Sequence, residues 1–197
     1  MSNPPRRAGP GVDPLFLQRW SPRALDGSAI SDTDLDTLFD AARWAPSAYN
    51  AQPWRFLYAR RGDENWARFL DLLVPGNQAW AERGSCLLFI LSDTLLQPSP
   101  DAEPKPSSSH SFDAGAAWAL LALQATRLGF QAHGMAGFDA PRARAELAVP
   151  DRFRIEAAVV VGRVADPSIL PEALRAREMP SERRPVAEIA GGGSFAF

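Results

Sequence analysis

Arg19, Ser21 and Arg23 alternate along the segment Arg19-Trp20-Ser21-Pro22-Arg23 and could together bind an anion. Alternate residues of an extended segment point to the same side, so two guanidinium groups would flank one hydroxyl. Guanidinium groups bind phosphate and carboxylate groups through paired hydrogen bonds. The charges alone favour the other interpretation, a solvated basic stretch.

The loop Pro46-Ser47-Ala48-Tyr49-Asn50-Ala51-Gln52-Pro53-Trp54 is a second candidate, because it presents side-chain amides between two prolines. The amides of Asn50 and Gln52 offer both donors and acceptors, which suits the polar edge of a heterocycle. An ordinary turn rich in Asn and Ser would have a similar composition. The two prolines and the neighbouring tryptophans make the binding interpretation more attractive.

Two further segments could contact a ligand. The small residues in His133-Gly134-Met135-Ala136-Gly137-Phe138-Asp139 would let a flat ligand approach the backbone and its N–H groups. A turn between a strand and a helix would also explain them. Near the C-terminus, Arg183-Arg184-Pro185-Val186 adds two cations to what is otherwise a charged tail.

Several functional classes lack their sequence signatures. No glycine-rich dinucleotide fingerprint, phosphate loop or zinc-binding helix is present. His110 and His133 have no obvious nucleophile between them, so a hydrolytic triad is not favoured. The 21 Lys and Arg residues are spread along a chain of net charge −2, which argues against nucleic-acid binding. The single cysteine, Cys86, excludes a disulfide within the chain and is expected to be a small buried residue.

The beginning of the chain is predicted to be a flexible leader, residues 1–14, followed by a single domain over residues 15–197. The leader lacks the apolar stretch of a signal peptide. The longest nearly apolar run, residues 114–123, is about half of what would span a bilayer. We therefore expect a cytoplasmic protein that is not inserted in a membrane and binds no metal.

Hydrophobic periodicity predicts alternating helices and strands. Ser31 is the expected N-cap of a first helix that ends at Pro46. Residues 93–111 form the one long irregular stretch, for which a mobile flap and a simple insertion are both open. The other predicted helices cover residues 64–73, 77–82, 112–128 and 140–147, and the predicted strands cover residues 54–59, 86–91, 130–135 and 155–164.

The helix predicted over residues 112–128 is apolar on nearly every side. A helix without a polar face must be buried all round. A subunit interface would bury it, and so would a position at the centre of a single core. The helix alone leaves both arrangements open.

Taken in this order, the four segments resemble the nitroreductase family of FMN-dependent oxidoreductases over about residues 19–189. Leu128-Gly129-Phe130 followed by Met135-Ala136-Gly137-Phe138 contributes to the resemblance. Its most specific part is the stretch Ala41-Ala42-Arg43-Trp44-Ala45-Pro46-Ser47-Ala48-Tyr49-Asn50-Ala51-Gln52-Pro53-Trp54.

The resemblance implies roles in FMN binding for the matching residues. Arg19 and Ser21 would hold the phosphate or ribityl chain, and Arg23 would lie near the pyrimidine edge of the ring. Asn77 stands where the family places an amide that bonds this edge. Arg183 matches a tail residue that reaches the phosphate, with Arg184 as the second choice. The other expected cofactor-binding residues are Trp20, Pro46, Ser47, Ala48, Asn50, Gly134, Met135, Ala136 and Gly137.

The resemblance also implies an assembly and a reaction. The fold would be α+β, a central and mainly antiparallel sheet flanked by helices, in an intertwined homodimer whose partner lays the loop at residues 46–50 against the flavin. A backbone N–H near Ala136 or Gly137 would point at flavin N5. NAD(P)H would reduce the flavin by hydride transfer, and a nitroaromatic, quinone or similar acceptor would then be reduced in a ping-pong cycle with no acid–base side chain. Alternatives on the same fold are a reductive dehalogenase, an enone reductase, or a flavin-binding protein that senses redox state without turnover.

Two positions depart from the family pattern. Many members carry a basic residue at the position of Trp20, and many carry one three positions after the Asn77 equivalent, where this chain has Trp80. Fewer cations near the pyrimidine edge would stabilise reduced anionic flavin less. The flavin potential is therefore the property that these departures would change.

Overall fold

Four antiparallel strands form the sheet on which the rest of the molecule is built. The computed structural model describes residues 6–99 and 101–195, so residues 1–5 of the predicted leader lie outside the described residues. The strands are β1 (Trp54–Arg60), β2 (Cys86–Asp93), a short pair β3 (Leu95–Leu96) and β4 (Lys105–Pro106), β5 (Gln131–Met135) and β6 (Phe153–Gly162). The main sheet has the order β1-β2-β6-β5, and every neighbouring pair in it is antiparallel. Helices flank this sheet on both faces, which confirms the predicted α+β fold.

The helices lie close to their predicted positions. Ser31 caps the second helix as expected, because its Oγ accepts a hydrogen bond from the N–H of Asp34 at 3.0 Å. That helix ends at Ala42, earlier than the predicted end at Pro46. The helices are α1 (Pro14–Gln18), α2 (Asp32–Ala42), α3 (Trp66–Asp71), α4 (Pro75–Ala81), α5 (His110–Arg127), α6 (Ala140–Glu146) and α7 (Glu172–Arg175).

Strand β2 is buried along its whole length because both faces of the sheet are covered. Successive side chains of a strand point to opposite faces. Leu88 therefore packs in the core towards α2 and α5, while Leu87 and Phe89 pack in the core towards α3, α4 and α6. Burial raises the pKa of the Cys86 thiol to about 12, which agrees with the expected small buried residue.

Helix α5 is covered by its own subunit on one side only. Ala117 and Leu121 are fully buried against the sheet. Phe112 is 82% exposed, and Gly115 and Ala119 on the same side are also exposed. Gly129, with φ +79°, ends the helix in the left-handed conformation that glycine adopts without strain. A single chain therefore does not bury the apolar helix all round.

The segment predicted to be irregular contains a small hairpin. Leu95 pairs with Pro106 and Leu96 pairs with Lys105. The N–H of Ser107 donates to the carbonyl of Thr94 at 2.8 Å and fastens the base of this hairpin. A role as a flap stays a prediction. No helix in the part of the chain that the structure describes is long and apolar enough to cross a membrane.

Candidate active site

Three arginines from distant parts of the sequence form a cationic cluster beside α1. Arg19 Nη1 donates to Ser21 Oγ at 3.4 Å, so the two predicted anion-binding side chains face each other. Burial lowers the pKa of Arg19, and the charge of Arg183 lowers it further. Arg6 belongs to the same cluster, because the charges of Arg183 and Arg19 both lower its pKa after the larger effect of burial.

None of these three guanidinium groups forms a salt bridge with a carboxylate of the described residues. Like charges placed together without a counter-charge repel one another, and an anion bound among them relieves that repulsion. The cluster is therefore suited to a phosphate group. Arg184, the second choice from the sequence, is exposed, and its side chain forms no hydrogen bond or ion pair with a described residue.

Arg23 lies next to this cluster, and Glu178 of the C-terminal tail forms hydrogen bonds with its backbone and that of Ala24. The carboxylate of Glu178, whose side chain is 1% exposed, accepts hydrogen bonds from the N–H groups of Arg23 at 2.6 Å and Ala24 at 2.8 Å. Its other oxygen lies 3.9 Å from Arg23 Nη1 and has no hydrogen-bond partner among the described residues. Glu178 thus fixes the backbone of Arg23 and partly offsets its charge.

Trp80 is buried behind the site and does not line its surface. Its ring centroid lies 4.6 Å from that of His133 and 5.8 Å from the guanidinium carbon of Arg23. His133 Nδ1 lies 2.9 Å from the carbonyl oxygen of Pro22. A carbonyl only accepts, so Nδ1 carries the proton and the neutral imidazole has a free lone pair at Nε2.

His133 should make the stability of the protein depend on pH. Its pKa is lowered mainly by burial and further by the charges of Arg23 and Arg19, against opposing effects of the Pro22 hydrogen bond and of Glu178. Below about pH 6.5 the unfolded chain binds a proton at His133 that the folded state excludes. The free energy of unfolding should therefore fall as the pH decreases from 6.5 towards the lowered pKa of the folded state.

Urea denaturation at a series of pH values from 5 to 7.5 measures this effect. The His133→Gln variant retains a donor for the Pro22 carbonyl but does not titrate in this range. We expect its free energy of unfolding to change less between these pH values than that of the wild type. Equal pH dependence of the two proteins would contradict the assignment.

The segment from Gly134 to Gly137 forms the end of β5 and the residues directly after it. Gly134 is exposed, and a Cβ there would lie 3.5 Å from the ring of Trp118. A Cβ on Gly137 would lie 2.7 Å from Asn77 Nδ2, so no larger residue fits without a shift. The side chain of Met135 is buried in the core and Ala136 is exposed. This stretch therefore offers backbone, rather than long side chains, to the solvent.

Asn77 holds this glycine segment in place. Its Nδ2 donates to the carbonyl of Gly137 at 3.0 Å, and the N–H of Val74 donates to the same oxygen at 3.1 Å. The N–H groups of Ala136 and Gly137 have no acceptor among the described residues. These two donors are thus free for a ligand.

The loop at residues 46–52 is exposed and bent. Tyr49, Asn50 and Gln52 have φ values of 54°, 54° and 49°, a left-handed conformation uncommon for residues other than glycine. Ser47 Oγ accepts from the N–H of Gln52 at 3.0 Å, and the N–H of Ala48 donates to the Asp113 carboxylate at 3.1 Å. The loop is therefore fixed to the beginning of α5.

The loop and the cationic cluster lie at opposite ends of α5 within one chain. The N–H of Trp20 donates to Gln131 Oε1, and this oxygen also accepts from Thr126 Oγ1 near the end of the helix. At about 1.5 Å per residue, Asp113 and Thr126 are separated by about 20 Å along α5. Pro46, Ser47, Ala48 and Asn50 therefore do not share one binding site with Arg19 in a single chain.

A polar cluster near the beginning of α5 contains serine, histidine and glutamate but lacks the arrangement of a hydrolytic triad. Ser92 Oγ lies 2.7 Å from His110 Nδ1 and donates to Glu156 Oε1 at 2.5 Å. The carboxylate thus contacts the serine instead of orienting the far side of the imidazole. Ser92 is also fully buried, so no substrate reaches it.

Sequence reasoning missed two residues of the site, Arg6 and Glu178. Arg6 lay in the predicted flexible leader, and Glu178 was one of several acids in a charged tail. Their partners are far away in the sequence, so no local pattern indicates them. His133 was included in the candidate segment, but no role was assigned to its side chain.

Comparisons with known proteins give consistent results. Residues 16–75 match the sequence model of the nitroreductase family. A Rhodopseudomonas palustris (strain TIE-1) protein provisionally named NADH dehydrogenase/NAD(P)H nitroreductase is 30% identical over 144 residues, covering 66% of this chain and 73% of that protein. The NADH dehydrogenase of Thermus thermophilus is 29% identical over 196 residues, covering 85% of this chain and 91% of that protein.

A solved structure described as an oxidoreductase containing FMN is also similar. It is 51% identical, with a TM-score of 0.93, and the match covers 100% of this chain and 99% of that one. The fold and these similarities define an oxidoreductase with the nitroreductase fold. The chain belongs to the nitroreductase family.

Proposed function

We propose that this chain binds FMN between two subunits of a homodimer and reduces small electron acceptors with NAD(P)H as the electron donor. The observation that carries the proposal is the cluster of Arg6, Arg19 and Arg183, which has no salt bridge to a described carboxylate. The charge of Arg19 also lowers the pKa of His133, which directly precedes the exposed Gly134. The oxidoreductase containing FMN to which the chain is 51% identical supports the same cofactor.

The described residues fit each part of FMN. The three arginines and Ser21 would hold the phosphate. The exposed backbone at Gly134 would lie against the ring, and Arg23 would face its pyrimidine edge. The free N–H groups of Ala136 and Gly137 would hydrogen-bond the ring's heteroatoms, as the resemblance implies for N5.

Bound FMN would supply two-electron chemistry, because its ring accepts and returns a hydride equivalent. The protein would contribute position and charge. Arg23 would stabilise negative charge at the pyrimidine edge, and the glycine segment would leave one ring face open to NAD(P)H and then to the acceptor. The neutral His133 donates to Pro22 and is not required as an acid.

The homodimer is part of the proposal because a single chain separates the halves of the site. The exposed face of α5 borders a cavity of ≈ 440 Å³ that α1, α2 and α5 line. Trp44 is 69% exposed and belongs to its lining. A second copy seated on this face would cover these apolar groups and bring its loop at residues 46–50 to the arginine cluster. The cytoplasmic location stays a prediction.

Purified protein supplied with FMN should be yellow and should oxidise NADH or NADPH in the presence of a nitroaromatic or quinone. Colourless protein that cannot be loaded with FMN would contradict the proposal. Anaerobic single-turnover assays with halogenated, enone and nitro acceptors would separate the reductase reactions. FMN binding without steady-state turnover would instead indicate a redox-sensing protein.

A further inference from the structure

Arg6 connects the beginning of the chain to both the arginine segment and the C-terminal tail. Its Nη1 donates to the carbonyl oxygens of Leu17 at 3.0 Å and Arg19 at 2.7 Å. Its Nε donates to the carbonyl of Ser181 at 2.9 Å. Nη2 has no hydrogen-bond partner among the described residues. One side chain thus joins three segments and keeps a free donor.

The position of Arg6 is electrostatically unfavourable without an anion. Its guanidinium group is half-buried next to Arg19 and Arg183, and burial and both charges lower its pKa. The hydrogen bonds to three neutral carbonyls do not neutralise the positive charge. A bound dianion among the three groups would convert their mutual repulsion into attraction.

We infer that Arg6 is a third phosphate-binding residue, and that a phosphate-bearing ligand fastens the N-terminal segment and the tail to the site. The inference rests on the proposed function, which supplies FMN as that ligand. Arg183 comes from the same tail as Ser181, to which Arg6 is bonded. Phosphate binding and docking of the tail therefore strengthen each other.

A purely structural role for Arg6 makes a different prediction. If Arg6 only held the tail, its loss would weaken FMN solely through the displaced Arg183, and Arg6→Gln would have no further effect in an Arg183→Gln background. If Arg6 itself binds phosphate, its loss weakens FMN further in that background and leaves riboflavin unaffected, because riboflavin lacks the phosphate. The ratio of the two dissociation constants, measured with Arg183 present and with Arg183→Gln, separates these roles, and an unchanged ratio in the Arg183→Gln background would contradict phosphate binding by Arg6.

The experiment titrates the apoprotein with FMN and with riboflavin and follows flavin fluorescence. We expect the Arg6→Gln variant to bind FMN about tenfold more weakly than the wild type, with an unchanged riboflavin affinity. The matched control is Arg7→Gln, since Arg7 is exposed and its side chain forms no hydrogen bond or ion pair with a described residue. Arg6→Lys should lie between the two, because it keeps the charge without the planar fork.

Limited trypsin digestion provides a second measurement. FMN should slow cleavage between residues 175 and 184 in the wild type, and riboflavin should not. Arg6→Gln should lose this protection. Equal losses of FMN and riboflavin affinity in Arg6→Gln, or an unchanged FMN affinity, would overturn the inference about Arg6. FMN binding by the wild type would in that case still support the proposed function. A wild type that binds neither flavin would overturn both.

Discussion

Replacing Ala119 with arginine is expected to convert the proposed homodimer into a monomer and to abolish FMN binding. Ala119 lies on the exposed side of α5, near Gly115 and Phe112. An arginine there would be buried without a partner between two subunits, which costs several kcal/mol. A monomer would retain the arginine cluster but lose the loop that the partner supplies. Size-exclusion chromatography with light scattering and a flavin titration measure the two effects.

The Ala145→Arg variant is the matched control, because Ala145 is an exposed alanine in α6. It should remain dimeric and bind FMN like the wild type. A monomeric Ala119→Arg variant that retains full FMN affinity would show that one chain contains the complete site. A variant that stays dimeric and binds FMN normally would show that this face of α5 is not the interface.

Mixed dimers test the division of the site directly. Arg19→Gln damages the cationic half, and Asn50→Gly removes an amide from the loop while retaining its left-handed backbone conformation. If each site takes one half from each chain, a dimer of one chain of each kind contains one intact site and one doubly damaged site. Random co-assembly of two inactive variants should then restore about a quarter of wild-type turnover. If each chain forms its own site, nothing should be restored.

The elements of the fold could be predicted from the sequence because their signals are local. The apolar run of the buried strand β2 and the cap at Ser31 depend on residues that are neighbours in the chain. The sequence left open whether the apolar helix lies in a core or at an interface. The structure shows that the sheet and α2 cover one side of α5 and that Phe112, Gly115 and Ala119 on the other side are exposed.

The site was only partly predictable because its contacts join distant segments. Arg19, Ser21 and Arg183 could be named from a family pattern, and the structure brings them together. The pattern did not indicate Arg6 or Glu178, because their side chains form hydrogen bonds with backbone groups of residues that are far away in the sequence. Any residue type can provide a backbone N–H or carbonyl group, proline's missing N–H excepted, so the sequence does not indicate which residue is the partner.

Glu178 should have two separable effects, on stability and on the flavin potential. Glu178→Ala would leave the buried N–H groups of Arg23 and Ala24 without their acceptor. Each unsatisfied group costs about 1–3 kcal/mol, so we expect the free energy of unfolding to fall by about 3 kcal/mol. Urea denaturation measures this loss. Glu182→Ala, an exposed glutamate in the same tail, should change the free energy of unfolding by less than about 0.5 kcal/mol.

Glu178→Gln isolates the charge. The amide oxygen can still accept from both N–H groups, so the variant should fold like the wild type. The negative charge next to Arg23 disappears, and Arg23, in its proposed place at the pyrimidine edge, should then stabilise the anionic reduced flavin more strongly. We expect the two-electron potential to rise by about 30 mV, which is a tenfold change in the equilibrium constant. Equilibration with redox dyes measures it. An unchanged potential would mean that Glu178 positions the backbone only and does not affect the flavin potential.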